Sequence, residues 1–368
     1  ISSSDYEAGE LVTLAQNCKW LVGHSVLGDA LVSGLKVHNL FGSSMLGMPY
    51  EQFQKLLENK HKSCVNARQS AKIGNFGFGG MAGPVRLVQQ QREQGPDTPC
   101  VGGPAIVKDE LTGEMVQGYR GTRLCILMDG AKACGTRKAY SWNDEPISPT
   151  CMHCIDCASR LKEAWFRQWP EMRKYFKWVT DAHEHGMVIR PEDLERWPWL
   201  KEVYQPWQRL SPAQVMLPVV GVLRGNLTPP SLANTMFQAL LAVACKAAHR
   251  VATRECYDTT IRVPDMRYAN TVRSQFAGGP SPLLGSRLPL FAHDELLAES
   301  PRSIAHAAAT RIGEIMVDEL RVCCPDIAPA CKVEPCLMIA WTKGAEARWA
   351  RGGNKRADEH DTLIPFGS

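Results

Sequence analysis

The sequence predicts an α+β fold in which short extended segments flank a long, mainly helical stretch. Two observations carry this. Asp5 closes a short extended segment and opens an apolar helical run through Leu11, Leu14 and Ala15, while Asp294 follows Leu288-Pro289-Leu290-Phe291-Ala292, an extended apolar stretch. Each is a strand-end acid. Together, Asp5-Tyr6-Glu7-Ala8-Gly9-Glu10-Leu11 and His293-Asp294-Glu295-Leu296 look like two halves of one divalent-metal site, since hard cations favour carboxylate oxygens.

From Asp5 to about Pro49 the pattern is strand, helix and a glycine-punctuated helical stretch that holds His38. A long amphipathic run begins at Glu51 and reaches Arg92. Residues 95–149 are rich in Gly, Pro, Asp and Thr, with one strand-like segment at Leu124 to Met128, and read as an inserted loop or hairpin region. Helical signal resumes at Ala158 and continues to about His185, with Trp165, Phe166, Trp169, Met172, Phe176 and Trp178 as core candidates. After a Pro- and Trp-rich connection come a helix from Ser231 to about Glu255, an extended pair around Asp294, and a last helix from Ile304 to about Arg321. No internal repeat is evident.

Composition narrows the class. A chain of 368 residues, 44% hydrophobic and 22% charged, is long enough to bury a substantial core over two subdomains. Its formal charge of +4 is mild, so a nucleic-acid footprint has to come from clustered Lys and Arg rather than from the global field. There is no secretory signal, lipidation motif or apolar stretch near the ~20 residues that a bilayer span needs, and the expectation is a cytoplasmic protein without membrane partners. The 14 cysteines then read as reduced thiols or metal ligands rather than a disulfide framework.

Charge neutralisation and positioning are what phosphoryl transfer demands of a protein, and paired metal ions ~3.5–4 Å apart can steady both the attacking and the leaving oxygens. Asp5 and Asp294 suit that task. Arg68 and Lys72 are one helical turn apart and share a face that Phe76 extends by another turn. A rigid guanidinium fork and a compact ammonium suit a polyphosphate tail, and Phe76 adds a ring contact.

Taken in order, Asp5-Tyr6 with Glu10, Arg68 with Lys72 and Asn75-Phe76-Gly77, and His293-Asp294-Glu295 resemble the three signature motifs of family A DNA polymerases. Asn75-Phe76-Gly77-Phe78-Gly79-Gly80-Met81 and the ending Glu334-Pro335-Cys336-Leu337-Met338 before Trp341 look like the bacteriophage members. The similarity runs through nearly the whole chain except the Cys-rich insertion. It implies a right-hand palm, a small antiparallel sheet with helices, at residues 1–27 and 223–368, and a mainly helical fingers subdomain at 28–222 with the Cys-rich insertion at about 95–157. It further implies two Mg²⁺ ions on Asp5 and Asp294 with Glu295 in support, and His293 at the primer end. Glu10 matches the steric gate that prefers deoxyribonucleotides; Arg68 and Lys72 match the triphosphate clamp, Phe76 the contact to the incoming sugar, and His38 a further phosphate contact. Asn234 and Gln238 match contacts to the minor groove of the new duplex, where acceptors are common to both kinds of base pair.

The chain departs from the family's pattern in places. Gly80 and Met81 stand where a Tyr-Gly pair is usual, and Pro230 stands where an Arg is usual. Gly77, Gly79, Gly80 and Gly83 are poor helix formers, which predicts that the helix of Arg68 ends soon after Phe76. Thumb and exonuclease would both precede Ile1, so the expectation is an excised fragment, or one half of a split enzyme whose second polypeptide or upstream segment supplies the thumb and proofreading. If viral, it would work in the cytoplasm of a bacterial host. The implied partners are primer-template DNA and deoxynucleoside triphosphates. The rival reading is a non-catalytic DNA-binding or replisome subunit that retains the polymerase fold; a single-subunit RNA polymerase or reverse transcriptase is disfavoured by Glu10.

Cys151-Met152-His153-Cys154-Ile155-Asp156-Cys157 has the short spacings of a zinc knuckle, with Cys125 or Cys134 as the fourth thiolate, and a structural Zn²⁺ would staple a region poor in apolar residues. The alternative is three reduced cysteines at the start of the Trp165 helix.

Overall fold

Two units emerge in a computed structural model that describes residues 1–93, 105–108, 115–118, 137–142, 145–261, 279–337 and 349–350. One unit comprises Ile1–Asn17, Leu217–Val222 and Thr235–Ser368; the other comprises Cys18–Met216 and Leu223–Asn234. The elements in chain order are β1 (Ser2–Tyr6), α1 (Gly9–Val22), α2 (Val26–Val32), α3 (Val37–Met45), α4 (Tyr50–Glu58), α5 (Lys62–Gly79), α6 (Pro84–Glu93), β2 (Ala105–Lys108), β3 (Met115–Gly118), β4 (Arg137–Trp142), β5 (Glu145–Cys151), α7 (Met152–Gln168), α8 (Glu171–His185), α9 (Pro191–Arg196), β6 (Val215–Leu217), β7 (Val222–Arg224), α10 (Pro229–Tyr257), β8 (Arg287–Ala292), β9 (Glu295–Glu299), α11 (Ala305–Cys323), β10 (Val333–Leu337) and β11 (Trp349–Ala350). The chain is helix-rich with a small antiparallel sheet. Among the described residues no helix is long and apolar enough to cross a membrane.

The first unit is built on a five-stranded sheet of order β11-β10-β1-β9-β8. Its neighbouring strands pair antiparallel, and β1 lies in the middle between β9 and β10. Side chains alternate along β1. Ser2, Ser4 and Tyr6 are buried on the face that α11 covers, and the Tyr6 hydroxyl donates to the carbonyl of Met316 at 3.0 Å. Gly313 of α11 lies against Pro335, the β10 residue paired with Ser4. Ala308, Ala309, Ile312, Met316 and Leu320 give α11 a continuous buried stripe at helical spacing. A buried ion pair joins α11 to α10: Arg311 donates to both oxygens of Glu255 at 3.0 and 2.7 Å, and the Ser281 hydroxyl donates to Glu255 at 2.7 Å.

The second unit is helical around the large aromatics. Trp165, Trp169, Tyr175, Phe41, Phe53 and Phe78 are fully buried, and Phe166 and Phe176 nearly so, whereas Trp178 is half-buried. Burial of side chains this size contributes about 1.5–3 kcal/mol each before entropy is subtracted. Polar groups seal the helix ends. The N-terminus of α2 is capped by Ser25, which accepts from the Gly28 amide, and by the buried Glu171, which accepts from the Leu27 amide at 2.9 Å. The Trp20 indole donates to Asp193, which Arg190 also binds, at 2.6 and 2.8 Å.

Three sequence expectations are corrected. The run from Glu51 to Arg92 is three helices, α4, α5 and α6; the first break falls at Lys60, whose φ is +55°, and the second between Gly80 and Pro84, where Met81 has φ +63°. The helical run to His185 is interrupted at Pro170, which has no amide hydrogen to continue the ladder. The helix placed from Ala158 begins at Met152, so Cys154 and Cys157 lie within it. The strand-like segment at Leu124 to Met128 lies outside the described residues, while the surrounding region contains the hairpins β2–β3 and β4–β5.

Candidate functional sites

The first unit gathers acids on the sheet face opposite α11. Asp5 is paired in register with Glu295 of β9 and with Glu334 of β10. Directly opposed residues of antiparallel strands project to the same side. Glu295, Asp5 and Glu334 therefore form a row across three strands. Asp294 lies in the two-residue turn of the β8–β9 hairpin, closed by the pairing of Ala292 with Glu295, and His293 in the same turn takes the left-handed conformation with φ +57°. A histidine with positive φ is uncommon outside such turns.

The electrostatics mark where these carboxylates converge. Burial, then the charges of Asp294, Glu295 and Glu334, push the Asp5 carboxyl up to about 7 despite a hydrogen bond from its neighbour's backbone. The residue keeps an exposed edge, so solvent screens part of that repulsion. Glu10, in the first turn of α1, is raised by burial and by Asp294, and lowered in part by Gln238 and His293. The Gln238 amide donates to Glu10 Oε1 at 3.3 Å. Cys245 is held as a thiol, pushed up to about 12 by burial and by Asp294 and Asp5. Asp5, Glu10, Gln238, His293, Asp294 and Glu295 thus come together in one unit. Sequence reasoning missed two residues of this face. Ser3, two before Asp5 and hence on the same side of β1, donates its hydroxyl to Glu295 Oε1, and Glu334 completes the row. The strand period of two was the available signal for Ser3.

The donor set fits Mg²⁺. Asp5, Asp294, Glu295 and Glu334 offer hard carboxylate oxygens, and the repulsion that adds to burial in raising Asp5 is the kind a dication relieves. Among the described residues no three His, Cys, Asp or Glu side chains are grouped so as to hold a metal ion by themselves.

A second cluster lies in the other unit, on α5 and α3. Arg68 and Lys72 are one turn apart on α5; the Arg68 Nε donates to the buried Asn39 amide oxygen at 3.1 Å, and Lys72 is exposed. His38 of α3 packs against the Phe76 ring with centroids 5.3 Å apart. Burial, then the charges of Arg68 and Lys72, lower His38 to about 4. Gly42 of α3 lets that helix lie close to both neighbours: a Cβ there would meet the Phe53 ring of α4 at 2.8 Å and the Arg68 backbone nitrogen of α5 at 3.4 Å. Asn75 stands behind His38, its amide nitrogen 3.0 Å from His38 Nδ1 and its amide oxygen accepting from the indoles of Trp165 and Trp169 at 3.0 and 3.2 Å. As the glycine-rich sequence predicts, α5 stops soon after Phe76, at Gly79.

Asn234, near the start of α10, donates to the Pro230 carbonyl at 2.9 Å and lies against Gly80, where any Cβ would come within 2.4 Å of its amide oxygen. For the cysteine motif, Cys151 ends β5 and Cys154 and Cys157 lie in the first turns of α7. Cys157 is buried and accepts from Arg160 at 3.5 Å. The side chains of Cys151 and Cys154, and all of Cys125 and Cys134, lie outside the described residues.

No protein-family model matches the chain, and no curated protein does. Among solved structures it is similar to the polymerase domain of Pol1 from M. smegmatis, solved in complex with DNA primer-template and dNTP, with a TM-score of 0.46 and 14% sequence identity. The match covers 86% of this chain and 36% of that one.

Proposed function

We propose that the protein is a template-directed DNA polymerase of family A, of the bacteriophage type. The observation that carries this reading is the register of β1 and β9, which sets Asp5 opposite Glu295, with the Asp294 charge acting on the same carboxyl. The ordered motifs around Arg68 and His293 support it. The reaction is attack of a primer 3′-hydroxyl on the α-phosphorus of a deoxynucleoside triphosphate, with pyrophosphate leaving.

Asp5 and Asp294 would hold Mg²⁺, with Glu295 beside them. When bound, the metal supplies charge neutralisation and activation of the attacking oxygen. The rest falls to the chain. Arg68, preset by Asn39, and Lys72 bind the polyphosphate, His38 donates to it, and Phe76 lies against the sugar. Glu10, held by Gln238, excludes a 2′-hydroxyl. Asn234 and His293 contact DNA. A thumb and proofreading activity from further polypeptide, and a structural Zn²⁺ at Cys151, Cys154, Cys157 and Cys134, belong to the same proposal.

The test is primer extension with Mg²⁺ and the four deoxynucleotides, using Asp294→Ala and Asp5→Asn as controls. Template-dependent extension that either substitution abolishes is expected. Extension that survives both would refute the metal assignment, and DNA binding with no extension under any condition would favour a non-catalytic subunit instead.

A further inference from the structure

Asn75 is 2% exposed, and every polar atom of its amide is engaged. An amide can be placed either way round, but here its partners decide. Indole nitrogens only donate, and two of them, from Trp165 and Trp169, point at one end of the amide. That end must be the oxygen. The opposite orientation would set an NH₂ group against two N–H donors inside the core, leaving all three without an acceptor.

The consequence passes to His38. With its oxygen committed to the indoles, Asn75 presents N–H to His38 Nδ1, 3.0 Å away. Nδ1 must then accept. A neutral imidazole carries one proton, so that proton sits on Nε2. Protonating Nδ1 would bring two donors face to face, and relief by turning the amide would strand both indoles. We propose that Asn75, oriented by Trp165 and Trp169, locks His38 as the neutral Nε2–H tautomer and so makes it an uncharged hydrogen-bond donor in the Arg68–Lys72 anion site.

The chemistry of the cluster agrees. The charges acting on His38 are Arg68 and Lys72, and both oppose a third positive charge, as burial does. A donor that stays neutral binds a phosphate oxygen without adding to that repulsion, and its hydrogen bond does not switch as pH passes through the ordinary histidine range. Asn75, Trp165 and Trp169 are positioning residues here. The lock itself follows from hydrogen-bond geometry alone; only the identity of the anion, a nucleoside triphosphate, rests on the polymerase reading.

The experiment is nitrogen-15 NMR of the full chain labelled at histidine, with the His38 signals assigned by their loss in His38→Gln. The expected spectrum shows an unprotonated Nδ1 and a protonated Nε2, unchanged between pH 6 and 8. Asn75→Asp keeps the shape and still accepts from both indoles, but it offers His38 an acceptor. It should move the proton to Nδ1 and raise the His38 midpoint by more than about one pH unit. A wild-type proton on Nδ1, ordinary titration near 6.5, or an Asn75→Asp spectrum identical to wild type would overturn the lock. Should Asn75→Asp fail to fold, Asn75→Leu, which removes the amide at nearly the same volume, should release His38 to a mixture of tautomers, and a spectrum identical to wild type there would count equally against the lock. Addition of dATP should shift Nε2 by forming the phosphate contact. A His38 spectrum with the lock intact and indifferent to dATP would count against the triphosphate reading.

Discussion

Asp5 and Glu295 face each other across β1 and β9, so two carboxylates occupy one antiparallel register position on the sheet face opposite α11. Like charges directly opposed destabilise a sheet. The fold nonetheless adds Glu334 on the other flank and Asp294 in the adjoining turn. That accumulation opposes folding unless something positive relieves it, and four expectations follow from this sheet and its surroundings.

The pH dependence comes first. The unfolded chain releases the Asp5 proton near 3.8, while the folded protein holds it up to about 7. The native state thus binds more protons across that interval, and the Asp5 contribution to stability falls as pH rises through it. Thermal melts without divalent metal should therefore show Asp5→Asn more stable than wild type at pH 8 and equal to it below pH 4. Mg²⁺ should raise the wild-type melting temperature at pH 8 and leave Asp5→Asn unchanged. Equal melting of the two proteins at pH 8 would contradict the raised Asp5 carboxyl.

Ser3 orients Glu295. On the proposed metal assignment, where loss of a group that positions a carboxylate at the metal typically costs between 10- and 100-fold in affinity or activity, Ser3→Ala should lower primer extension by roughly 10-fold. The loss should appear mainly as a higher Mg²⁺ requirement. Ser3→Thr, which keeps the hydroxyl, should recover most of it, a rescue that a purely structural defect would not show.

Ser4 points the other way, into the interface with α11, fully buried and with its hydroxyl unpartnered. An unsatisfied buried hydroxyl costs free energy that alanine does not, so Ser4→Ala should stabilise the protein by roughly 1 kcal/mol. Denaturant midpoints decide it: a lower midpoint in Ser4→Ala would mean that the hydroxyl is paired after all.

Arg311 and Glu255 form a buried bidentate pair, their side chains 12% and 4% exposed. Truncating one partner leaves the other charge buried, and Arg311→Met should cost about 3–5 kcal/mol. The double substitution Arg311→Met with Glu255→Leu should return much of that. A loss no larger in the single than in the double variant would argue against uncompensated charge as the cause.

Some of this was legible in the sequence. Apolar periodicity located α10 and α11 to within a few residues, and the extended stretch before Asp294 became β8. The acids and Arg68 with Lys72 stood out because short-range spacing places them on strand ends and on one helix face. What stayed hidden depended on distant partners. β1 buries serines rather than aliphatics, so hydrophobicity does not reveal that Ser2 and Ser4 are core. Glu334 joins Asp5 only through a register made 329 positions away, as 334 less 5. Asn75 gains its meaning from His38 and Trp169, 37 and 94 positions distant. The break at Lys60, which adopts positive φ without being glycine, was missed, whereas the glycines after Phe76 announced the end of α5.

The central place of β1 also sets an order of events. The strand that bears Asp5 has both its neighbours roughly three hundred residues further on, Leu296 on one side of Ser4 and Pro335 on the other. Such closures carry a large entropic cost and form slowly. During synthesis the first strand must wait, unpaired, until some three hundred further residues have emerged. The helical unit encoded in between can be complete long before that, so a nascent chain would order the helices that carry His38, Arg68 and Lys72 first and the row of Asp5, Glu295 and Glu334 last.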